Sequence, residues 1–121
     1  MNIRGFEDLD IWKRSHGLTL RVYKITKGFP ADERFGLTAQ VRRSSASVCA
    51  NIAEGYRKPT RDFIRYLDIA VGSLEETKYH LILSKDLEYC SRQHFDILYQ
   101  EAVHISRMIT AMIRKLRLNK R

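Results

Sequence analysis

The stretch FDILYQEAVHISRMITAMIRKL, residues 95–116, decides the fold class. Its apolar residues recur in alternating steps of three and four: Phe95, Leu98, Ala102, Ile105, Ile109, Met112 and Leu116. Such steps place side chains on one face of an α-helix, and their alternation over about three heptads is typical of a helix in a coiled-coil-like bundle. Ser91 can cap the start of this helix. The pattern predicts a helix over about residues 92–117.

Three more helices are predicted upstream, over about residues 7–27, 33–54 and 61–87, because the two prolines and six glycines fall mostly between these segments. Gly55 is predicted to be a left-handed C-terminal cap, and Thr60 to be the N-cap of the third helix. Gly72, inside that helix, indicates close packing against another backbone. Long helices with short connections pack antiparallel, so residues 1–121 are predicted to form one all-α domain, an up-down-up-down four-helix bundle.

Apolar residues at helical spacing indicate which faces of the helices form the core. The second and third helices present the following residues: Leu37, Val41, Val48, Ile52, Phe63, Leu67, Ala70, Leu74 and Leu81. The first helix has two adjoining apolar sides, one with Leu9, Trp12, Leu20 and Tyr23, the other with Ile11, Leu18, Val22 and Ile25. Because large apolar patches are rare on monomers, the presence of two apolar sides on one helix predicts self-association.

Length and composition exclude several classes of protein. A chain of 121 residues with 44% hydrophobic residues can bury a core without disulfides, so Cys49 and Cys90 are not needed as crosslinks. Charged residues interrupt every apolar run, which excludes a membrane span. The acidic start of the chain does not resemble a secretory signal. A cytoplasmic location is therefore expected.

The surplus of eight positive charges is unevenly distributed along the chain. Residues 42–65 have a local net charge of +4, residues 66–106 one of −4, and residues 107–121 one of +6. This asymmetry predicts a basic surface that could attract a polyanion. The alternative interpretation is ordinary solvation of helix surfaces by lysine and arginine.

Few residue patterns point to catalysis or to metal binding. Glu101 and His104 have the Glu-x-x-His spacing of di-iron bundles, but a second copy of the motif is missing and His104 falls outside the apolar seam. The two cysteines lack metal-ligand spacing, and the glycines form no nucleotide-binding fingerprint. The chain is therefore predicted to have no enzymatic activity, no metal and no cofactor.

A set of polar residues near the turn between the second and third helices is predicted to form a structural hydrogen-bond network: Asn51, Glu54, Ser73 and Glu76. Such a network can set the register of two helices if every member is satisfied. The alternative is a ligand or partner site at the same place.

Four motifs resemble a known family: Phe6-Glu-Asp-Leu-Asp-Ile-Trp12, Gly36-Leu-Thr-Ala-Gln-Val-Arg-Arg43, Asn51-Ile-Ala-Glu-Gly55 and Ile69-Ala-Val-Gly-Ser-Leu-Glu-Glu76. They resemble the bacterial four-helix-bundle proteins encoded within intervening sequences of 23S ribosomal RNA genes. The resemblance implies a ring-like homopentamer without enzymatic activity. The family also looks related to the accessory variability determinant of diversity-generating retroelements, a basic pentamer that binds nucleic acid and a reverse transcriptase. When the binding role is transferred by matching positions, the resemblance implies that Arg42 and Arg43 bind nucleic acid.

The leading hypothesis is a non-catalytic, oligomeric protein that binds nucleic acid, RNA favoured over DNA, through phosphate contacts. The predicted binding residues are Arg42, Arg43, Arg57, Lys58, Arg61, Arg65, Arg114, Lys115 and Arg117, with Lys120 and Arg121 beyond them. Salt-sensitive binding with weak sequence preference would follow, because charge alone reads no bases. A scaffold that binds another protein is the main alternative, and a carboxylate-bridged metal oxidase is a third.

Overall fold

The computed structural model describes residues 3–119, which form four α-helices. These are α1 (Asp10–Thr26), α2 (Leu37–Tyr56), α3 (Thr60–Asp86) and α4 (Arg92–Asn119). Two short 3-10 helices, Phe6–Asp8 and Ala31–Glu33, precede α1 and α2. No strand occurs between residues 3 and 119. The predicted all-α class is confirmed.

The four helices are arranged as a square. Each helix contacts the next one along the chain, and α4 closes the square by contacting α1. The two diagonal pairs, α1 with α3 and α2 with α4, make no backbone contact. Because the connections are short, neighbouring helices run antiparallel, and the predicted up-down-up-down bundle is confirmed. The most extensive contact joins α2 and α3.

The first two helices begin later than the sequence predicts. The backbone of Leu9 is extended, so α1 starts at Asp10 and the earlier turn is a separate 3-10 helix. Gly36 has a non-helical backbone, and α2 starts at Leu37. Glu33 stabilises this start because its Oε1 accepts a hydrogen bond of 2.9 Å from the backbone N–H of Leu37. Glu33, predicted to be the first residue of the helix, therefore lies before it and caps it.

Both predictions for the turn between α2 and α3 are wrong. Gly55 is helical, and no glycine in residues 3–119 has a positive φ. A Cβ on Gly55 would lie 2.5 Å from the Cβ of Tyr66, so glycine is needed there for the close approach of α2 and α3. Thr60 is the first helical residue, and the N-cap position belongs to Pro59. Ser91 does cap α4, because its Oγ accepts a 3.0 Å hydrogen bond from the N–H of His94.

The core largely follows the predicted faces. All nine apolar residues predicted for α2 and α3 are buried. On α4 the seam is buried up to Ile109, and Ile113 then replaces Met112 because a straight helix drifts relative to a strict heptad repeat. On α1, by contrast, Leu20 and Tyr23 remain 57% and 43% exposed. The side with Leu9, Trp12, Leu20 and Tyr23 is therefore only partly covered in the single chain, because Leu9 is buried while Leu20 and Tyr23 are not.

Small polar residues on α2 allow α1 to approach closely. Ser45 is buried, and the hydroxyl of Thr19 on α1 donates to its carbonyl oxygen at 3.0 Å, whereas the buried Ser44 contacts Thr77 on α3. Every buried side-chain nitrogen and oxygen atom in the described chain has a hydrogen-bond partner. The prediction that Gly72 packs against another backbone fails within this chain, because no atom lies within 4 Å of the position its Cβ would take.

Candidate nucleic-acid interface

Two groups of cations that are far apart in sequence lie at one end of the bundle. The first surrounds the α2–α3 turn and contains Arg57, Lys58, Arg61 and Arg65; the second is near the end of α4 and contains Arg114, Lys115 and Arg117. They share an end because α3 begins there and α4, antiparallel to α3, finishes there. An ion pair of 3.8 Å between Arg117 and Asp68 links the two helices. We call these seven residues the basic end.

Five of the seven cations in the basic end have no ion-pair partner among residues 3–119: Arg57, Lys58, Arg61, Arg114 and Lys115. All five are exposed. Arg65 pairs with Asp62 at 3.6 Å, and Arg117 pairs with Asp68. Exposed pairs of this kind contribute little to stability. The ammonium group of Lys58 lies 5.6 Å from the centre of the Tyr66 ring, which places an aromatic surface beside the cations.

Arg42 and Arg43 lie away from the basic end. They precede Arg57 by about four helical turns, or roughly 20 Å along α2. Arg42 is half-buried: its Nε donates to the hydroxyl of Thr26 at 2.8 Å, and its guanidinium lies 4.6 Å from the centre of the Tyr23 ring. This residue therefore ties α2 to α1. Arg43 is exposed but forms an ion pair with Glu76.

Arg107 is a candidate that the sequence reasoning missed. It is exposed on α4 and lines a shallow groove of about 280 Å³ together with Ser106, Thr110 and Arg114. The signal was available in the sequence, because residues seven apart lie two helical turns apart on the same face. Lys120 and Arg121 lie outside the described residues.

The predicted polar network is divided in two, and its first part contains Asn51 and Ser73. The amide nitrogen of Asn51 donates to the carbonyl and hydroxyl oxygens of Ser47, at 2.8 and 3.1 Å. The hydroxyls of Ser47 and Ser73 lie 2.9 Å apart. Glu54 is exposed and makes no hydrogen bond with another side chain in residues 3–119, so its prediction as a network member is wrong.

The second part lies further from the turn and contains Glu76. Its carboxylate pairs with Arg43 and approaches Nε2 of His80 at 3.8 Å. On the other side of the His80 ring, Nδ1 lies 3.4 Å from the hydroxyl of the fully buried Ser44, which is also 2.8 Å from that of Thr77. Burial lowers the pKa of His80, against the opposing effect of Glu76. These contacts set the register of α2 against α3, and sequence reasoning missed Ser44, Thr77 and His80 as members.

Glu101 and His104, which have the spacing of a di-iron motif, lie in different surroundings. Both carboxylate oxygens of Glu101 accept hydrogen bonds from Arg14 on α1, at 3.0 and 3.1 Å, whereas His104 is exposed. The stretch from residue 3 to residue 119 contains no group of three His, Cys, Asp or Glu side chains that could hold a metal ion.

Burial raises the pKa of both thiols, Cys49 and Cys90. None of the described helices is sufficiently long and apolar to cross a membrane.

Comparisons with known proteins agree with this bundle. The chain is similar to a protein of unknown function from the S23 ribosomal protein family of Bacteroides thetaiotaomicron, solved by crystallography. The two are 27% identical, with a TM-score of 0.76 over 85% of this chain and 97% of that one. No curated protein matches the chain. The sequence profile described as "23S rRNA-intervening sequence protein" matches residues 7–111, and the chain therefore belongs to that family.

Proposed function

We propose that the protein is a non-catalytic, oligomeric nucleic-acid-binding protein of the cytoplasm whose basic end contacts phosphates. One observation carries the proposal: five unpaired cations from two distant parts of the chain lie together at one end of the bundle. Phosphate groups are the natural ligands of such a surface, because neutralising them releases condensed counterions. RNA is the nucleic acid to test first, because the family description mentions 23S rRNA.

The charge of the rest of the chain supports the approach of a nucleic acid toward the basic end. Residues 66–106, which include most of α3 and the first half of α4, have a net charge of −4, opposite in sign to the basic end. A molecule with such a polarised field steers a polyanion toward its basic side. The cations contact the backbone of the nucleic acid and not base edges, so sequence preference is weak.

A titration tests the proposal directly. Fluorescence anisotropy of labelled single-stranded and duplex RNA is measured at salt concentrations between about 50 and 100 mM, where electrostatic binding is strong. We expect saturable binding that weakens steeply as salt is added. A chain with Arg57, Arg61, Arg114 and Lys115 replaced by glutamine is expected to bind much more weakly. Absence of binding by the wild-type chain in this range would overturn the proposal.

Self-association is the second part of the proposal. The exposed apolar side chains on α1 support it, because Leu20 and Tyr23 would be covered in an oligomer. The specific number of five subunits comes only from the family resemblance. Light scattering on the purified chain measures the number of subunits, and the mass of a single chain at all concentrations would refute self-association.

A protein-binding scaffold is the alternative function, and one observation favours it. Phe35, in the connection before α2, is 86% exposed, and phenylalanine is enriched in protein interfaces relative to the rest of the surface. The test is a pulldown after nuclease treatment, with wild-type chain and with Phe35→Ala. Stoichiometric recovery of one protein by the wild type alone would favour the scaffold, and equal recovery by both chains would exclude a role for Phe35.

A further inference from the structure

Two glycines inside helices have no explanation within the single chain. Gly17 lies in α1 and Gly72 in α3, and at neither position would a Cβ have any atom within 4 Å. Alanine would therefore fit at both positions. In a helix interior, glycine lowers the equilibrium constant for helix formation about fivefold relative to alanine. A contact outside the chain that requires a bare backbone would account for both residues.

Each glycine lies on a helical face whose other residues are exposed. The α1 face contains residues in alternating steps of four and three: Lys13, Gly17, Leu20, Lys24 and Lys27. The α3 face contains Asp68, Gly72, Glu75 and Tyr79 in steps of four, three and four, and Asp86 two helical turns after Tyr79. Leu20 on the first and Tyr79 on the second are 57% and 58% exposed. Both faces combine a glycine, a large uncovered side chain and flanking charges.

The flanking charges of the two faces are opposite. The three lysines of the α1 face have no ion-pair partner among residues 3–119. On the α3 face, Asp68, Glu75 and Asp86 each have a cation of the same chain nearby, but their side chains remain 58%, 59% and 65% exposed. Those carboxylates are accessible to lysines of another molecule. Charge complementarity of this kind sets the register of a contact and disfavours wrong partners.

The two faces are on opposite sides of the molecule, because α1 and α3 are diagonal in the square. One chain cannot bring them together, whereas two copies can. We infer that the α1 face of one copy packs against the α3 face of a second copy in a head-to-tail contact, with the glycines allowing the helices to approach closely. Contacts of this type lead to rings or filaments and not to two-fold dimers. The inference rests on the self-association in the proposed function and is independent of nucleic-acid binding.

The first test places a side chain where the two helices would meet. Gly72→Leu is compared with Ala111→Leu, which adds an apolar side chain at an exposed position of α4 outside both faces. Sedimentation velocity gives the mass of each, and circular dichroism checks the helix content. We expect Gly72→Leu to remain helical while its self-dissociation constant rises at least tenfold, and Ala111→Leu to retain the wild-type mass.

The outcomes separate the two proposals. A wild-type chain that is monomeric at all concentrations overturns self-association and this inference together. An oligomer that Gly72→Leu leaves unchanged overturns only the inference. Neither result bears on the RNA titration, which reports on the basic end.

A charge reversal provides the second test, should Gly72→Leu fail to fold. One variant replaces the three lysines of the α1 face by glutamate, and another replaces the three carboxylates of the α3 face by lysine. Each alone makes the two faces alike in charge, and self-association should be lost. The chain with both sets of changes regains opposite charges, and its self-association should return. The inference would be overturned if the chain with both sets of changes is helical but remains monomeric. It would also be overturned if all three variants form oligomers.

Discussion

Replacing Arg114 and Lys115 by glutamine tests the basic end quantitatively. Both side chains are exposed, and neither has an ion-pair partner among residues 3–119, so the change removes two free cations without breaking a contact. For single-stranded RNA, each phosphate contact contributes about 0.7 to the slope of log affinity against log salt. The five unpaired cations of the basic end thus correspond to a slope of about −3.5, and all nine cations predicted from the sequence to one of about −6.3.

The double variant should lower the steepness of that slope by about 1.4, because two contacts are lost. If binding near 1 M salt is unchanged, this corresponds to an affinity about 25-fold lower at 100 mM. The assay is anisotropy with a short RNA of about ten nucleotides, so that few contacts can come from a second chain. Salt is varied from about 50 to 300 mM, the range in which the logarithmic relation is informative.

A matched variant, Arg21→Gln with Arg34→Gln, removes the same charge at exposed positions outside the basic end. It should leave the slope nearly unchanged, since those cations do not contact the phosphates. An equal loss of affinity in both variants would mean that net charge, and not the basic end, attracts the RNA. A wild-type slope of about −6 would mean that cations beyond these five contact phosphates. If replacing Arg65 and Arg117 by glutamine then lowered the slope, the distinction between paired and unpaired cations would be refuted.

Three further predictions concern the bundle itself. Gly55→Ala should lower the free energy of unfolding by about 1 to 3 kcal/mol in urea titrations, because the new methyl group meets Tyr66. Gly28→Ala is the control that should cause little loss, because its Cβ would lie at an ordinary contact distance of 3.6 Å from the carbonyl oxygen of Ile25. Burial lowers the pKa of His80, so the unfolded chain protonates first and stability should fall as pH drops below about 6.5; His80→Gln should flatten that dependence, and an unaltered profile would contradict it. Arg42→Gln should lower stability by about 1 kcal/mol, because the contacts with Thr26 and Tyr23 are lost, and should leave the RNA salt slope unchanged. A lower slope for this neutral variant would place residue 42 at the nucleic acid.

Helical periodicity let the sequence predict the fold class, most of the core and the number of helices. The pattern is local: alternating steps of three and four around Ile105 and Leu67 define a buried face whatever the neighbouring helix is. Helix ends were harder to predict, because they depend on single contacts. Glu33 accepting a hydrogen bond from Leu37 and Gly55 packing against Tyr66 are both outcomes of folding.

The candidate site depended on tertiary structure to a greater degree. The sequence alone identifies a surplus of positive charge in two separate segments, residues 42–65 and 107–121. It does not show that parts of the two segments lie together in the folded chain. The antiparallel order of α3 and α4 brings Arg57 and Arg114 to the same end, while packing commits Arg42 to α1 and Arg43 to Glu76. Formal charge is a property of each residue taken singly, whereas the availability of that charge depends on which side chains the fold places beside it.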